Sequence, residues 1–264
     1  MDTKIHSISI LGGVGKNGDE EPVRRVDFNM GNIISIVGPT GSGKTTLINE
    51  MQLFTDGFTP TKRRILINGA IPPPEYQDDP SCNPVAAITQ HTNFLSDLPV
   101  GEFLRIHVGI RHSSDIEIGK IVDETLSMAN HLTGEPIIAS YSMTELSGGQ
   151  TRALLIADAV VVGNSPIILL DEIENAGIYR GRALDILRKY QKIFVFVTHD
   201  PYIALLSDIR IVMKKGMMIK KLQITEDERT ISKKVKKLDD ILHTLKEKIR
   251  LGDQLVEGDW EAAI

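Results

Sequence analysis

The chain has 264 residues, of which 41% are hydrophobic and 25% charged, with a formal net charge of −5. This is the composition of a globular protein that can bury its own core, and the single cysteine, Cys82, excludes an internal disulfide framework and a cysteine-rich zinc site. No sequence-wide basic field exists to attract nucleic acid, so no nucleic-acid partner is expected.

The chain carries no segment that predicts secretion or membrane insertion. Residues Met1–Lys4 lack a basic segment followed by an apolar core. The longest apolar stretches, such as Ala157–Val162, are far shorter than the roughly 18 residues that a spanning helix needs. We therefore expect a cytoplasmic protein, with peripheral association at the cytoplasmic face of a membrane as one possibility.

Two short strands are predicted at the start of the chain. Ile5–Leu11 and Val23–Met30 have strand-like patterns, and the segment between them, Gly12–Glu21, is glycine-rich and polar. Its Gly12–Gly15 stretch resembles a phosphate loop but lacks the helix and the acidic partner of a dinucleotide fingerprint. A hairpin turn is the favoured interpretation.

The next segment carries a phosphate-loop pattern, G-x-x-x-x-G-K-[ST]. The pattern lies between an apolar strand, Ile33–Val37, and a helix-compatible stretch, Thr46–Phe54, which is the context that the motif requires. Its glycines would let several backbone N–H groups point at one anion, at the positive end of a helix. The residues expected to contact phosphate are Gly38, Pro39, Thr40, Gly41, Ser42, Gly43, Lys44, Thr45 and Thr46.

Two side chains in this loop have specific roles in the prediction. Lys44 would reach the β- and γ-phosphates of a nucleotide, and the hydroxyl of Thr45 would be a ligand of Mg²⁺. The alternative is a glycine-rich turn that binds nothing, which leaves the Lys-Thr pair after a buried strand unexplained.

The middle of the chain changes from strand to helix. Ile65–Gly69 and Val85–Thr89 read as strands, with a rigid exposed loop at 72–84 between them. Val100–His131 has helical spacing of apolar residues, and no clear strand lies between residues 94 and 141. This pattern predicts a helical subdomain inserted into an α/β core.

A second anion-binding site is predicted at Leu146–Gln150, where Ser147 would be the N-cap residue of a helix. Gly148 and Gly149 would expose backbone N–H groups at its N-terminus. Taken alone, this segment could equally be a capped helix that binds nothing.

Carboxylates and a histidine follow two later strands. Ile167–Glu172 ends in Asp171, placed to hold Mg²⁺ through its water shell, and in Glu172, placed to orient or deprotonate the attacking water. His199 follows the strand 193–197, on the edge where ligands gather in parallel sheets, and is a candidate sensor of the γ-phosphate.

Together these motifs resemble, in order and spacing, the nucleotide-binding subunits of ATP-binding cassette (ABC) systems, from about residue 4 to about residue 222. The resemblance implies that Gly38–Thr45 is the Walker A loop, Ile167–Glu172 the Walker B strand and Gln90 the Q-loop residue. The catalytic residues that it implies are Lys44, Gln90, Glu172 and His199, and the metal ligands are Thr45, Gln90 and Asp171.

The resemblance also implies a fold, cofactors and an assembly. The fold is an α/β P-loop NTPase of the ABC type: a mixed β core with a parallel sheet, an antiparallel N-terminal part and a helical subdomain at about 94–160, all within residues 1–225. The cofactors are ATP and Mg²⁺. Two subunits, identical or different, pack head to tail, so that each ATP also contacts the partner's Ser147, Gly148, Gly149 and Gln150.

Three features depart from the common family pattern. The loop at 173–178 lacks the usual aspartate, no Tyr or Phe between residues 5 and 27 is available to stack on adenine, and Asp158 stands where arginine is common. These departures indicate a divergent branch with weak specification of the base.

Residues 226–264 lie beyond the resemblance and begin with a charged helix. Its apolar seam steps by four and three residues, a heptad spacing, and comprises Ile231, Val235, Leu238, Leu242, Leu245 and Ile249. The helix could fold back on its own domain, or the seam could contact a second copy or another partner.

Two functions remain open from the sequence. The ATPase could energise an integral membrane permease, or it could act in the assembly, maturation or activation of a cytosolic protein or metalloprotein. Base rates in the family favour transport, whereas the loop at 173–178 and the C-terminal seam favour the soluble role.

Overall fold

The computed structural model describes residues 4–79, 82–89, 91–110, 115–172 and 180–256. Its strands are β1 (Ser7–Leu11), β2 (Arg25–Asn29), β3 (Ile33–Val37), β4 (Arg64–Ile67), β5 (Val85–Ile88), β6 (Ile167–Asp171), β7 (Ile193–Val197), β8 (Ile209–Lys214) and β9 (Met217–Gln223). Its helices are α1 (Lys44–Gln52), α2 (Glu75–Asp78), α3 (Val100–Gly109), α4 (Asp115–Leu132), α5 (Gly148–Ala157), α6 (Arg180–Leu187), α7 (Pro201–Leu206) and α8 (Glu226–Arg250).

The strands form two sheets. The smaller sheet is antiparallel, in the order β2-β1-β4, and the larger has the order β5-β6-β7-β3-β8-β9. In the larger sheet, neighbouring strands are parallel except for β9, which runs antiparallel to β8. The predicted fold class, a mixed core with an antiparallel N-terminal part and a helical region, is confirmed.

The central strands β3, β6 and β7 are mostly apolar because both faces of the larger sheet are covered. On β3, Ile34 and Ile36 join a core that contains the buried face of α1 and the antiparallel sheet. Ile33 and, on β7, Phe194 point into a second core formed with α3, α4 and α5. The phosphate-loop strand is thereby fixed from both sides.

The proline-rich segment at 72–84 differs from the predicted loop because it contains the short helix α2. Pro74 is its N-cap residue, and the carbonyls of Pro73 and Pro74 accept hydrogen bonds from the N–H groups of Tyr76 and Gln77. The fixed φ of proline suits the first turn of a helix, so this cluster starts a helix instead of preventing one.

The helical region contains α3 and α4, as the spacing over 100–131 predicts. After α5, the chain continues as a π-helical turn, Asp158–Val162. Asp158, where arginine is common in the family, lies 2.8 Å from Nδ1 of His107 on α3. The acidic residue is therefore part of the packing between α3 and the end of α5.

Helix α8 packs against α7 with a face that is offset from the predicted seam. Ser232 and Ile241 are buried, and Glu228 pairs with Arg210 of β8 at 2.9 Å. Four of the six seam residues stay exposed, namely Ile231, Leu238, Leu242 and Ile249. The helix thus lies on its own domain and still presents an apolar stripe to solvent, while the division into 1–225 and 226–264 stays a prediction.

Among the described residues, no helix has the length and apolar character needed to cross a membrane. The residues 257–264, the last part of the predicted C-terminal segment, lie outside the described part of the chain.

A buried ion cluster connects the two sheets. The guanidinium of Arg63 is fully buried and binds the Glu21 carboxylate through two hydrogen bonds, of 2.6 and 3.1 Å, and the Glu50 carboxylate at 2.8 Å. Glu21 also accepts hydrogen bonds from the N–H groups of Gly13 and Met218. The cluster therefore joins the β1–β2 hairpin, helix α1 and the start of β9.

Burial alone would lower the pKa of Arg63, but the hydrogen bonds and charges of Glu21 and Glu50 outweigh it and raise that pKa. The guanidinium is therefore charged at every accessible pH. Two carboxylates removed from water depend on this one cation, and leaving them unpaired is expensive.

We predict that Arg63→Met lowers the free energy of unfolding by about 3–5 kcal/mol, because it leaves two buried carboxylates without their cation. Chemical denaturation measures the loss. The neighbouring Arg64 is the matched control, since its side chain is 60% exposed; Arg64→Met should change stability by less than about 0.5 kcal/mol.

The variant that combines Arg63→Met with Glu21→Gln and Glu50→Gln should be more stable than Arg63→Met alone, because it buries no unpaired charge. Equal losses for Arg63→Met and Arg64→Met would show that the cluster does not hold the fold.

Candidate functional site

The loop between β3 and α1 has the curled backbone that the sequence predicts. Gly38, Gly41 and Gly43 have φ values of 153°, 75° and 99°. A Cβ atom at Gly38 would lie 2.3 Å from the carbonyl oxygen of Met213 on β8, so that position has room only for glycine. The loop therefore packs directly on the neighbouring strand.

The N-terminus of α1 opens into this loop without a capping side chain. Gly43 is the N-cap residue, and no side chain in the described part of the chain hydrogen-bonds to the first turn. The first N–H groups of a helix lack intrahelical acceptors, and together with the helix dipole they attract an anion. The loop and helix thus supply the donors that a phosphate group needs.

The ammonium group of Lys44 lies across the same loop. Its Nζ donates hydrogen bonds to the carbonyl oxygens of Gly38, at 2.9 Å, and Pro39, at 3.3 Å, and the residue is 7% exposed. These neutral acceptors hold the charge beside the loop, where a phosphate oxygen would be a stronger partner.

An open cleft of about 290 Å³ lies above the loop. Its walls come from three places: the β1–β2 hairpin, the phosphate loop with the start of α1, and the ends of β6 and β7. The lining residues are Lys16, Thr40, Gly41, Gly43, Lys44, Thr45, Thr46, Glu172, Val197 and His199.

Glu172 and His199 meet at the carboxyl end of the sheet. The N–H of Glu172 donates to the Val197 carbonyl at 3.0 Å, which ties the end of β6 to the end of β7. Its carboxylate oxygen Oε1 lies 3.7 Å from Nε2 of His199. The cleft therefore places a carboxylate and an imidazole opposite a loop built for anions.

The turn that carries His199 is fixed by its neighbours. Asp200 caps α7 by accepting hydrogen bonds from the N–H groups of Tyr202 and Ile203, and the hydroxyl oxygen of Thr198 accepts from the N–H of Asp200. A capped helix that starts directly after β7 positions the imidazole at the sheet edge.

Of the predicted metal ligands, Thr45 lines the cleft and Asp171 does not. Asp171 ends β6 and is half-buried, but it is not among the lining residues. Gln90 lies outside the described residues, as does the loop at 173–178. Among the described residues, no group of three or more His, Cys, Asp or Glu side chains could hold a metal ion by itself.

The segment Leu146–Gln150 starts α5, with Ser147 as the predicted N-cap. The Ser147 hydroxyl oxygen accepts from the Gln150 N–H at 3.3 Å, and Gln150 Oε1 accepts from the Ser147 N–H at 2.9 Å, which is a complete capping box. Ser147 and Gly148 are exposed, and neither lines the cleft of its own chain.

Gln150, which is predicted to contact the nucleotide, forms hydrogen bonds within its own chain. The residue is 6% exposed, and its Nε2 donates to the Pro136 carbonyl at 3.0 Å while Oε1 closes the capping box. Both ends of the amide are thus used inside the chain, so Gln150 shapes the helix start and does not face outward.

Lys16 also lines the cleft, a position that its local sequence does not predict. It lies in the hairpin between β1 and β2, and its Nζ donates to the Gly41 carbonyl at 3.1 Å. The only local signal is a lysine in a glycine-rich turn, which does not reveal that the turn faces the phosphate loop.

Comparisons with known proteins agree on one family. The family model described as ABC transporter matches residues 24–175. An uncharacterised ABC transporter ATP-binding protein of Methanocaldococcus jannaschii is 48% identical over 256 residues, which cover 97% of both chains. A spermidine/putrescine import ATP-binding protein of Legionella pneumophila is 31% identical over 198 residues, 71% of this chain, which spans 50% of that relative.

A solved structure shares the fold. It is a dimeric post-hydrolysis state of an ATP-binding cassette bound to ADP and Pi, and it matches 83% of this chain and 99% of its own with a TM-score of 0.63 at 23% identity.

Proposed function

Because this chain belongs to the ATP-binding cassette family, whose members are ATP hydrolases, we propose that it is the ATP-binding subunit of a membrane transport system. The membership confirms the resemblance found in the sequence. The observation that carries the proposal is the cleft, which joins a donor-rich anion loop to Glu172 and His199 across neighbouring strands.

In this proposal, the loop and Lys44 hold the phosphates of ATP. The uncapped N–H groups at the start of α1 and the ammonium group of Lys44 donate hydrogen bonds to the β- and γ-phosphates. The loop residues proposed to make these contacts are Gly38, Pro39, Thr40, Gly41, Ser42, Gly43, Lys44, Thr45 and Thr46.

Glu172 orients or deprotonates the water that attacks the γ-phosphate, and His199 contacts that phosphate. Their 3.7 Å separation lets the imidazole influence the position of the carboxylate. Mg²⁺ would neutralise phosphate charge when it is bound, held by the Thr45 hydroxyl and by Asp171 through water. An ion that takes one or two protein ligands and several phosphate and water oxygens is the common arrangement for Mg²⁺.

The second wall of the ATP site would come from another subunit. The cleft is open, and the exposed N-terminus of α5 does not face it within the same chain. A head-to-tail dimer, with an identical or a related subunit, would bring Ser147, Gly148 and Gly149 of one chain over the cleft of the other. The dimeric state of the structurally similar cassette supports this arrangement.

A membrane permease is the proposed partner. The helical region exposes large apolar side chains near α3, with Leu95 fully exposed, Ile106 53% exposed and Ile110 76% exposed. Exposed apolar side chains of this kind are typical of a surface that another protein covers. The import function in the names of relatives supports a transport role, and we place the chain at the cytoplasmic face of the membrane as part of this proposal.

One observation favours a second candidate, a soluble ATPase that acts on a cytosolic protein. The exposed α8 stripe lies on a segment that the family model does not match, so it offers a surface for a different partner. Both candidates use the same ATP site and differ only in what the ATPase moves.

We predict that Glu172→Gln lowers the rate of phosphate release by at least about 100-fold and changes ATP affinity by less than about threefold, because the amide cannot accept a proton from water. Steady-state hydrolysis and equilibrium nucleotide binding measure the two effects. This variant should form a dimer with ATP and Mg²⁺ in size-exclusion chromatography. Unchanged turnover would remove Glu172 from the reaction.

For the loop, Lys44→Ala should weaken ATP binding about 10- to 100-fold, the loss expected for charge-assisted hydrogen bonds. Lys120, an exposed lysine of α4, serves as the control, and Lys120→Ala should bind ATP like the unchanged protein. Full affinity in the Lys44 variant would contradict the assignment of the loop.

Purification of a tagged chain from detergent-solubilised membranes should co-isolate a protein with several spanning helices if the transport proposal holds. Recovery only from the soluble fraction, bound to a globular protein, would favour the second candidate. The variant Leu238→Lys on α8 separates them further, because it should disrupt only the complex that uses the α8 stripe.

A further inference from the structure

We propose that Lys16, in the β1–β2 hairpin, is a second lysine that contacts the phosphate chain of the bound nucleotide. The inference rests on the proposed function, since it names a further residue of the same ATP site. It starts from the position of the β1–β2 hairpin, whose turn reaches over the phosphate loop.

The ammonium of Lys16 lies at the mouth of the loop. Its Nζ donates to the Gly41 carbonyl at 3.1 Å, and Lys16 lines the cleft together with Lys44, Thr45 and Thr46. Its side chain is exposed, and among the described residues no carboxylate forms an ion pair with it. A phosphate oxygen that enters the cleft would therefore replace a neutral acceptor with a charged one.

The hairpin is held in place rigidly enough to position this side chain. The backbone N–H of Lys16 donates to the Lys215 carbonyl at 3.3 Å, and the N–H of Gly216 donates to the Ser42 carbonyl at 2.8 Å. A Cβ at Gly216 would lie only 3.1 Å from Cγ of Lys16, so the lysine stem packs on this glycine. The β8–β9 turn thus joins the hairpin to the phosphate loop.

The buried Arg63 fixes the same turn from beneath. Its guanidinium donates to the Gly216 carbonyl and to Glu21, at the far end of the hairpin from Lys16. Ordering a lysine on binding costs less when the backbone that carries it is already fixed. The hairpin therefore presents Lys16 at low entropic cost.

The charge of the cleft fits this role. Among the described residues that line the cleft, Lys16 and Lys44 outnumber the one carboxylate, Glu172, so the described lining has a positive excess for a polyanion. No Tyr or Phe lies between residues 5 and 27, where an aromatic would stack on the base. The affinity for a nucleotide would then come more from contacts with its phosphates than from contacts with its base, and Lys16 would add one more phosphate contact.

The test measures the affinity of the full-length protein for ATP, GTP and inorganic tripolyphosphate, each with Mg²⁺, by titration calorimetry. Lys16→Met should weaken all three by the same factor, about 5- to 30-fold, because the lost contact is to phosphate. Lys16→Arg should retain most of the affinity, and Lys120→Met, which removes the same charge from an exposed site on α4, should change nothing.

Two results would overturn the proposal. Affinities of Lys16→Met within twofold of the unchanged protein would show that Lys16 makes no contact with the ligand. A loss for ATP and GTP without a loss for tripolyphosphate would place the lysine at the base or ribose. In both cases, a large loss of affinity in Lys44→Ala would still support the assignment of the ATP site. A protein that binds none of the three ligands would refute the proposed function as well.

Discussion

The structure depends on one buried guanidinium. Arg63 lies at the junction of the β1–β2 hairpin, helix α1 and the β8–β9 turn, and it donates to acceptors in each of them. Charged groups inside a protein need their partners at fixed distances, since the attraction offsets the cost of desolvation only in good geometry. The cluster therefore sets the relative positions of the hairpin, of the helix that opens into the phosphate loop, and of the turn between them.

The order of the strands then determines what meets at the cleft. Because β7 lies between β3 and β6, the end of β7 separates the phosphate loop from the carboxylates that end β6. The hydrogen bond from Glu172 to Val197 and the turn that carries His199 bridge this gap. The carboxylate therefore reaches the cleft from two strands away, while the residue before it, Asp171, does not line it.

Much of this arrangement could be predicted from the sequence, because it depends on local patterns. Apolar runs bounded by turn residues predict β3, β6 and β7, and the glycine and Lys-Thr spacing predicts the loop. Ser147 is correctly predicted as an N-cap because a capping box is a signal four residues long.

The tertiary contacts could not be predicted, because the residues that form them lie far apart in the chain. The contact of Arg63 with Glu21 spans 42 residues and its contact with Gly216 spans 153 residues. Lys16 reaches Gly41 only because the hairpin folds over the loop. The heptad pattern of α8 predicts a helix with an apolar seam. Which face of α8 packs on the domain depends on the position of α7, which the α8 sequence does not contain, so most of the seam stays exposed. The sequence predicts Gln150 as a ligand contact, but it does not reveal the hydrogen bond from its amide to the Pro136 carbonyl, 14 residues earlier.

The π-helical turn after α5 has a consequence for how insertions and deletions would act. The N–H of Gly163 bonds to the Asp158 carbonyl, five residues earlier, so this turn holds one residue more than a regular α-helical turn. Because the π turn absorbs this extra residue, removing one residue between 158 and 162 would restore regular winding and keep the helix faces in register, whereas removing one residue elsewhere in α5 would rotate the exposed start of α5 by roughly 100° about the helix axis. The direction in which that helix start faces is therefore set by the length of the chain as much as by its side chains.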